Sequence, residues 1–127
     1  MSTIKEQIMN YLSEEGLRPQ EEEYGIYFRY QMLSFLIHWD EDDANFLKIS
    51  LPGIFKTDEN NRADALEASN VVNIERKVVK AIVFDDNVWL TAEQLLDTTP
   101  DFGDIIPRTI GMLTGAREGF YEALRNI

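Results

Sequence analysis

Cysteine is absent from the 127 residues, histidine occurs once, and proline and glycine number only 4 and 7. Without cysteine there is no disulfide framework, Cys-ligated zinc, iron–sulfur cluster or thiol nucleophile, and a lone histidine leaves few acid–base schemes. Positive charge is also scarce, with 12 bases against 23 acids and a net charge of −11. The excess is even along the chain, 12 acids and 6 bases in residues 1–62 and 11 and 6 in residues 63–127. Such a field disfavours nucleic acid and anionic membranes and keeps a protein soluble, while basic or partly folded partners stay attractive. No stretch of about 18 apolar residues occurs, so no spanning helix is expected, and the first residues, with Lys5 as the only early base, do not read as a signal peptide. A cytoplasmic location is the expectation.

What is present is a globular composition, 44% hydrophobic and 11% aromatic, of a length that fits one domain spanning residues 1–127. A chain this size removes roughly two-thirds of its unfolded surface from water and can form a core unaided. Thr3 and Glu6 have capping-box spacing, and Ile4, Ile8, Met9 and Leu12 share a face ahead of Gly16, which predicts a first helix over about 3–15. From Tyr24 to Leu51 the apolar period becomes two: Ile26, Phe28, Tyr30; then Leu33, Phe35, Ile37, Trp39; then Leu47, Ile49, Leu51. Three antiparallel strands follow, with a very tight turn at Tyr30–Leu33, a solvated one at Asp40–Asn45, and Pro52-Gly53 as the stop. Glu21-Glu22-Glu23 reads as a charged loop, the alternative being a site for a basic partner.

Asp58 is placed to cap a second helix to about Arg76, with Ala63, Leu66, Asn70 and Ile74 as its stripe, widened by Ala65, Val71 and Val72. Val78–Phe84 and Val88–Leu96 form a second hairpin about Asp85-Asp86-Asn87. Ile106, Ile110, Leu113, Ala116, Phe120 and Leu124 mark a long last helix with Pro107 near its first turns. Gly111, Gly115 and Gly119 align along one side of it, each costing about 0.5–1 kcal/mol relative to alanine. The compensation expected is close approach of a backbone, from the chain's own sheet or a second subunit. The fold class is therefore α+β: helix, three strands, helix, two strands, helix, with helices packed on a largely antiparallel sheet.

That order, over about residues 3–126, resembles the YbjN-like domains, whose fold is similar to that of the type III secretion chaperones. The stretch Asn73-Ile74-Glu75-Arg76-Lys77-Val78-Val79-Lys80-Ala81 is similar to the family's helix end entering its fourth strand. Asp85-Asp86-Asn87-Val88-Trp89-Leu90 resembles its acidic turn and fifth strand, and Leu47–Pro52 its third. The resemblance implies a chaperone-like, often dimeric fold in a family described as regulatory or left uncharacterised. Secretion chaperones hold an extended client on apolar patches; the resemblance names no client here.

No GxGxxG, Walker A, HExxH or GxSxG string occurs, so neither a cofactor nor a metal nor a catalytic residue is assigned, and no enzyme is expected. Asp40–Asn45 fails as a calcium loop, since Asn45 stands where glycine is needed and Leu51 where the bidentate glutamate is needed. Asp85 and Asp86 read as turn residues, and His38 as a surface or half-buried side chain rather than a ligand or base. The informative oddity is apolar residues on both strand faces. Met32 and Leu36 oppose the Leu33 set, and Val79, Ala81 and Val83 oppose Val78, Ile82 and Phe84. Something is expected to cover the second face: a helix of the chain, a second subunit, or a bound polypeptide or apolar ligand.

Two function classes follow. The leading one is a non-enzymatic chaperone-like or regulatory interaction protein, homodimeric and able to hold a polypeptide client, with Met32, Leu36, Val79, Ala81, Val83 and Trp89 as candidate surface. The alternative is a small-molecule-binding sensory module with a pocket of Tyr27, Phe35, Trp39 and Trp89.

Overall fold

The computed structural model describes residues 3–38, 42–43 and 45–127. Along the chain run α1 (Ile4–Glu14), β1 (Gln20–Glu22), β2 (Gly25–Tyr30), β3 (Leu33–His38), β4 (Phe46–Lys56), α2 (Arg62–Glu75), β5 (Val79–Phe84), β6 (Asn87–Leu95) and α3 (Phe102–Arg125). The strands form one antiparallel sheet in the order β1-β2-β3-β4-β6-β5. This is the α+β layout the patterning predicts, with one strand more. Trp39, together with Asp40, Glu41 and Ala44 of the Asp40–Asn45 turn, lies outside the described residues.

The extra strand is β1, where a charged loop is expected. Its backbone pairs with β2 while Glu21 and Glu22 stay exposed, and Lys5 of α1 forms an ion pair with Glu21. Acidic side chains on a short edge strand discourage pairing with another chain. Helix α1 follows its signals closely. The Thr3 hydroxyl accepts from the Glu6 N–H at 3.1 Å, and Gly16, at φ +77°, closes the other end with Gly16 N–H to Ser13 C=O and Leu17 N–H to Leu12 C=O. Ile8 and Leu12 are fully buried.

Pro52-Gly53 does not stop its strand. β4 continues to Lys56 through a register shift between Leu51 and Phe55, a bulge that keeps the ladder to β6 on both sides. In α2 the stripe is rotated from the expected one. Ala65, Ala68, Ser69 and Val72 are buried, while Ala63, Leu66, Asn70 and Ile74 are exposed. Small side chains on the inner face let α2 sit close to α3 and β5. Asp58 caps the turn ahead of the helix, its carboxylate accepting from the N–H groups of Asn60 and Asn61. Helix α3 begins at Phe102, so Pro107 is its sixth residue and leaves the Gly103 carbonyl without the usual i+4 donor.

Among the described residues no backbone crosses the glycine stripe of α3 at these positions; what lies there is the Arg76 side chain. A Cβ at Gly119 would sit 2.9 Å from Arg76 Nη2 and one at Gly115 3.5 Å from Nη1, while Gly111 faces open space. The expected approach of the chain's own sheet is thus corrected: an arginine reaching from the end of α2 fills the space at Gly115 and Gly119.

Register assigns the two sheet faces. Phe28 pairs with Phe35, Ile26 with Ile37, Ile37 with Ile49, Ile49 with Ala92, Ala92 with Val79, and Leu90 with both Leu51 and Ala81. All of these join Ile8, Leu12, Ala65, Val72, Ile106, Leu113 and Phe120 in one core, so the three helices cover one face. Val79 and Ala81 are buried in it, and Val83 packs against it. Their proposed role as outer surface is therefore corrected. In β5 both residue parities are apolar, and the odd set, not the even one, points at the helices.

Candidate functional site: the open face of the sheet

Alternate residues of the strands compose the face that no helix covers among the described residues. Tyr27, Leu36, Ser50, Thr91 and Lys80 follow one another across β2, β3, β4, β6 and β5, with His38, Lys48 and Glu93 in the next row. Leu36 is buried yet stands outside the helix-covered core. Trp89 and Ile82 are opposite each other and half-buried, and Phe84 meets Trp89 edge-on with ring centroids 6.1 Å apart. Phe84 is 57% exposed and Leu95 80% exposed, and Phe46, opposite Leu95, is half-buried. Trp89, Ile82 and Phe84 thus form an apolar patch at one end of the face and Leu95 with Phe46 a smaller one at the other, the Ser50–Thr91 and Lys48–Glu93 rows lying between them. Exposed apolar patches are the usual mark of an interaction surface.

A polar ladder crosses the middle of this face. His38 Nε2 lies 2.9 Å from Ser50 Oγ, which lies 2.9 Å from Thr91 Oγ1, and Tyr27 and Ser34 share a 2.7 Å hydroxyl contact. Ser50 and Thr91 are essentially inaccessible, so mutual hydrogen bonding satisfies groups that would be costly to bury alone. Burial lowers the His38 pKa from its ordinary value, the Lys48 ammonium lowers it further, and Glu93 opposes both. A histidine beside a serine invites comparison with a nucleophile and its base. Ser50 Oγ, however, is closed off from any substrate and already engaged by Thr91, while Glu93 is held by Lys80 at 3.0 Å. The ladder is a structural network; sequence spacing missed it, because Ser50 and Thr91 reach His38 only through strand register.

Bases also gather here. Arg29, Lys48, Lys56 and Lys80 share the face with Glu22 and Glu93, which makes it locally cationic on a chain of net charge −11.

Of the residues singled out in the sequence, the structure brings Leu36 and Trp89 onto this face. Met32, 87% exposed, is at the tip of the β2–β3 turn instead. Tyr27 and Trp89 share the face but stand three strand spacings apart, about 14 Å. Phe35 points into the helix-covered core and stacks on Phe28 at 5.4 Å. Tyr27, Phe35 and Trp89 therefore line no common pocket. A separate hollow of about 170 Å³ lies between Tyr11, Tyr30 and Pro107, below the size of ordinary ligand pockets. Among the described residues no three His, Asp or Glu side chains converge as metal ligands, and no helix is long and apolar enough to cross a membrane.

No family model matches the sequence, and no curated protein matches it. Solved structures do. YbjN from E. coli, described as a candidate transcription regulator, superposes with a TM-score of 0.71 at 12% identity, over 98% of this chain and 96% of that one. An uncharacterised protein from Methanothermobacter thermautotrophicus superposes with a TM-score of 0.67 at 15% identity, over 96% of both chains. At such identities the likeness is one of architecture, and over nearly its whole length this chain has a YbjN-like fold.

Proposed function

We propose that the chain is a non-enzymatic regulatory interaction domain that holds another polypeptide on the open face of its sheet, and that it works as a homodimer. The observation that carries this reading is the patch of Trp89, Ile82 and Phe84, with the apolar pair Phe46 and Leu95 at the other end of the same face and no helix of the described chain over either. Burying side chains of this size is worth roughly 1.5–3 kcal/mol each, enough for a few of them to drive association. The regulatory description of the E. coli structure fits such a role. The four bases on the face favour an acidic client segment, because opposite charge steers encounter and suppresses wrong partners.

Light scattering on the purified chain between low and high micromolar concentration tests the dimer. The expected mass is twice the 14.7 kDa of one protomer. A Trp89→Lys/Phe84→Lys variant is expected to fall to the single-protomer mass while keeping its circular dichroism spectrum. A wild-type mass that stays at one protomer removes the homodimer from this reading. If acidic peptides also protect no open-face amide from hydrogen exchange, the docking surface goes with it.

A further inference from the structure

A cleft of about 570 Å³ opens between the C-terminal end of α2 and the middle of α3. That volume is within the range of small-molecule sites, roughly 300–1,000 Å³. Arg76 and Lys77 wall it on one side and Arg108 of α3 on the other, with Glu75 as the single acid among the lining residues. Its floor is Gly111 and Gly115, flanked by Met112. Three bases to one acid, on a chain with 23 acids and 12 bases, is a local reversal of sign.

These bases are poorly employed within the protein. Arg108 has a 3.4 Å contact to the exposed Asp104, and among the described residues no ion pair or side-chain hydrogen bond engages Arg76 or Lys77. The Arg76 guanidinium lies across α3 where Gly115 and Gly119 leave room for it. Three cations share the cleft with one lining acid, Glu75, and Arg108 has Asp104 beside it, so positive charge is in excess there and an anion placed among the cations relieves their repulsion. The bare glycine floor would let a ligand approach the helix backbone at Gly111, where nothing among the described residues stands within 4 Å of a would-be Cβ.

We propose that this cleft binds a small phosphorylated molecule. Its phosphate oxygens are held by Arg76, Lys77 and Arg108, and its non-phosphate part lies over Gly111, Gly115 and Met112. With Glu75 counted the lining keeps two net positive charges, which a ligand of two negative charges balances, and a guanidinium offers phosphate paired donors. A nucleic-acid strand is disfavoured because the acidic surface beyond the cleft repels a long polyanion. The site is on the helices, away from the open sheet face, so it stands or falls separately from the polypeptide-binding reading.

Pyrophosphate and ADP, titrated into isotope-labelled protein at low salt and followed by amide resonances, test the site. The expected result is saturable one-to-one binding that moves the amides of Arg76, Lys77 and the 108–115 segment. Arg76→Gln and Arg108→Gln should each weaken it about tenfold, the loss of one charge-assisted hydrogen bond. Lys5→Gln, which neutralises a base outside the cleft, should leave it unchanged. Gly111→Leu builds into open space, keeps every charge and should block ADP. The proposal is overturned by any of three results: no saturation by about 10 mM of either probe, equal weakening in Lys5→Gln, or a Gly111→Leu protein that binds ADP as wild type does. Binding of a glutamate-rich peptide here, with neither phosphate probe bound, also overturns it.

Discussion

Gln31 and Met32 both occupy the left-handed region, at φ 49° and 68°, and join Tyr30 to its partner Leu33 in a two-residue hairpin. Positive φ at both central positions is the type I′ pattern, which matches the twist of the flanking strands and which Asn-Gly adopts most readily. A side chain with a Cβ bears about 1–2 kcal/mol of steric cost there. The double substitution Gln31→Asn/Met32→Gly should therefore raise stability by about 1 kcal/mol, after allowing for the greater freedom glycine gives the unfolded chain. In urea denaturation the midpoint should move up with the slope unchanged. The tightness of this turn was legible from the two strand patterns meeting without a gap, but its type was not, because neither Gly nor Asn marks it. Val78 is a similar case. It reads as the first residue of a strand, yet φ of +71° and half exposure place it in the turn before β5.

At the scale of elements, no strand among the described residues lies beyond β5, and α2 supplies one residue in its place. The Asn73 amide donates to the Ala81 carbonyl at 3.1 Å, and the Ala81 N–H donates to Asn73 Oδ1 at 2.7 Å, as a neighbouring strand would. Both partners lie within the stretch that carries the family resemblance, eight residues apart. Asn73→Ala leaves that edge pair unmade and should cost about 1–2 kcal/mol for two partly buried hydrogen bonds. The distinguishing measurement is amide exchange. Ala81 should lose protection by more than the global destabilisation accounts for, while Ile49 in the sheet centre should follow the global change. Sequence patterning found α2 and β5 but turned both. α2 has apolar residues all round, with Leu66 and Ile74 outside and alanines inside, and β5 has them at both parities. In neither does amphipathic contrast choose a side. Packing does, because Ala65 and Ala68 admit α3 and β5 at a distance that leucine would not.

Across the whole molecule, the order of helices and strands other than β1 was readable because each of them has a period, a cap or a turn of its own, whereas the three polar residues of β1 have none. Which surface stays bare was not, because that depends on where three helices settle. Adjacent residues of β3 give the sharpest contrast. Ile37 is fully buried beneath the helices, whereas Leu36, nearly as buried, is on the opposite face of the sheet between its cross-strand partners Tyr27 and Ser50. Ile37→Ala should cost about 2–4 kcal/mol, since the hole it leaves is enclosed. Leu36→Ala leaves a dent open to water and should cost at least about 1 kcal/mol less in dilute protein. If a second copy of the chain covers the open face, the two variants must also part in their concentration dependence. Association stabilises whatever it buries, so the deficit of Leu36→Ala relative to wild type should grow as protein concentration rises, while that of Ile37→Ala should stay constant. Thermal melts of wild type and both variants, from about 1 to 200 µM, separate the outcomes. Parallel melting curves for Leu36→Ala and wild type at every concentration would leave this face without a second copy upon it.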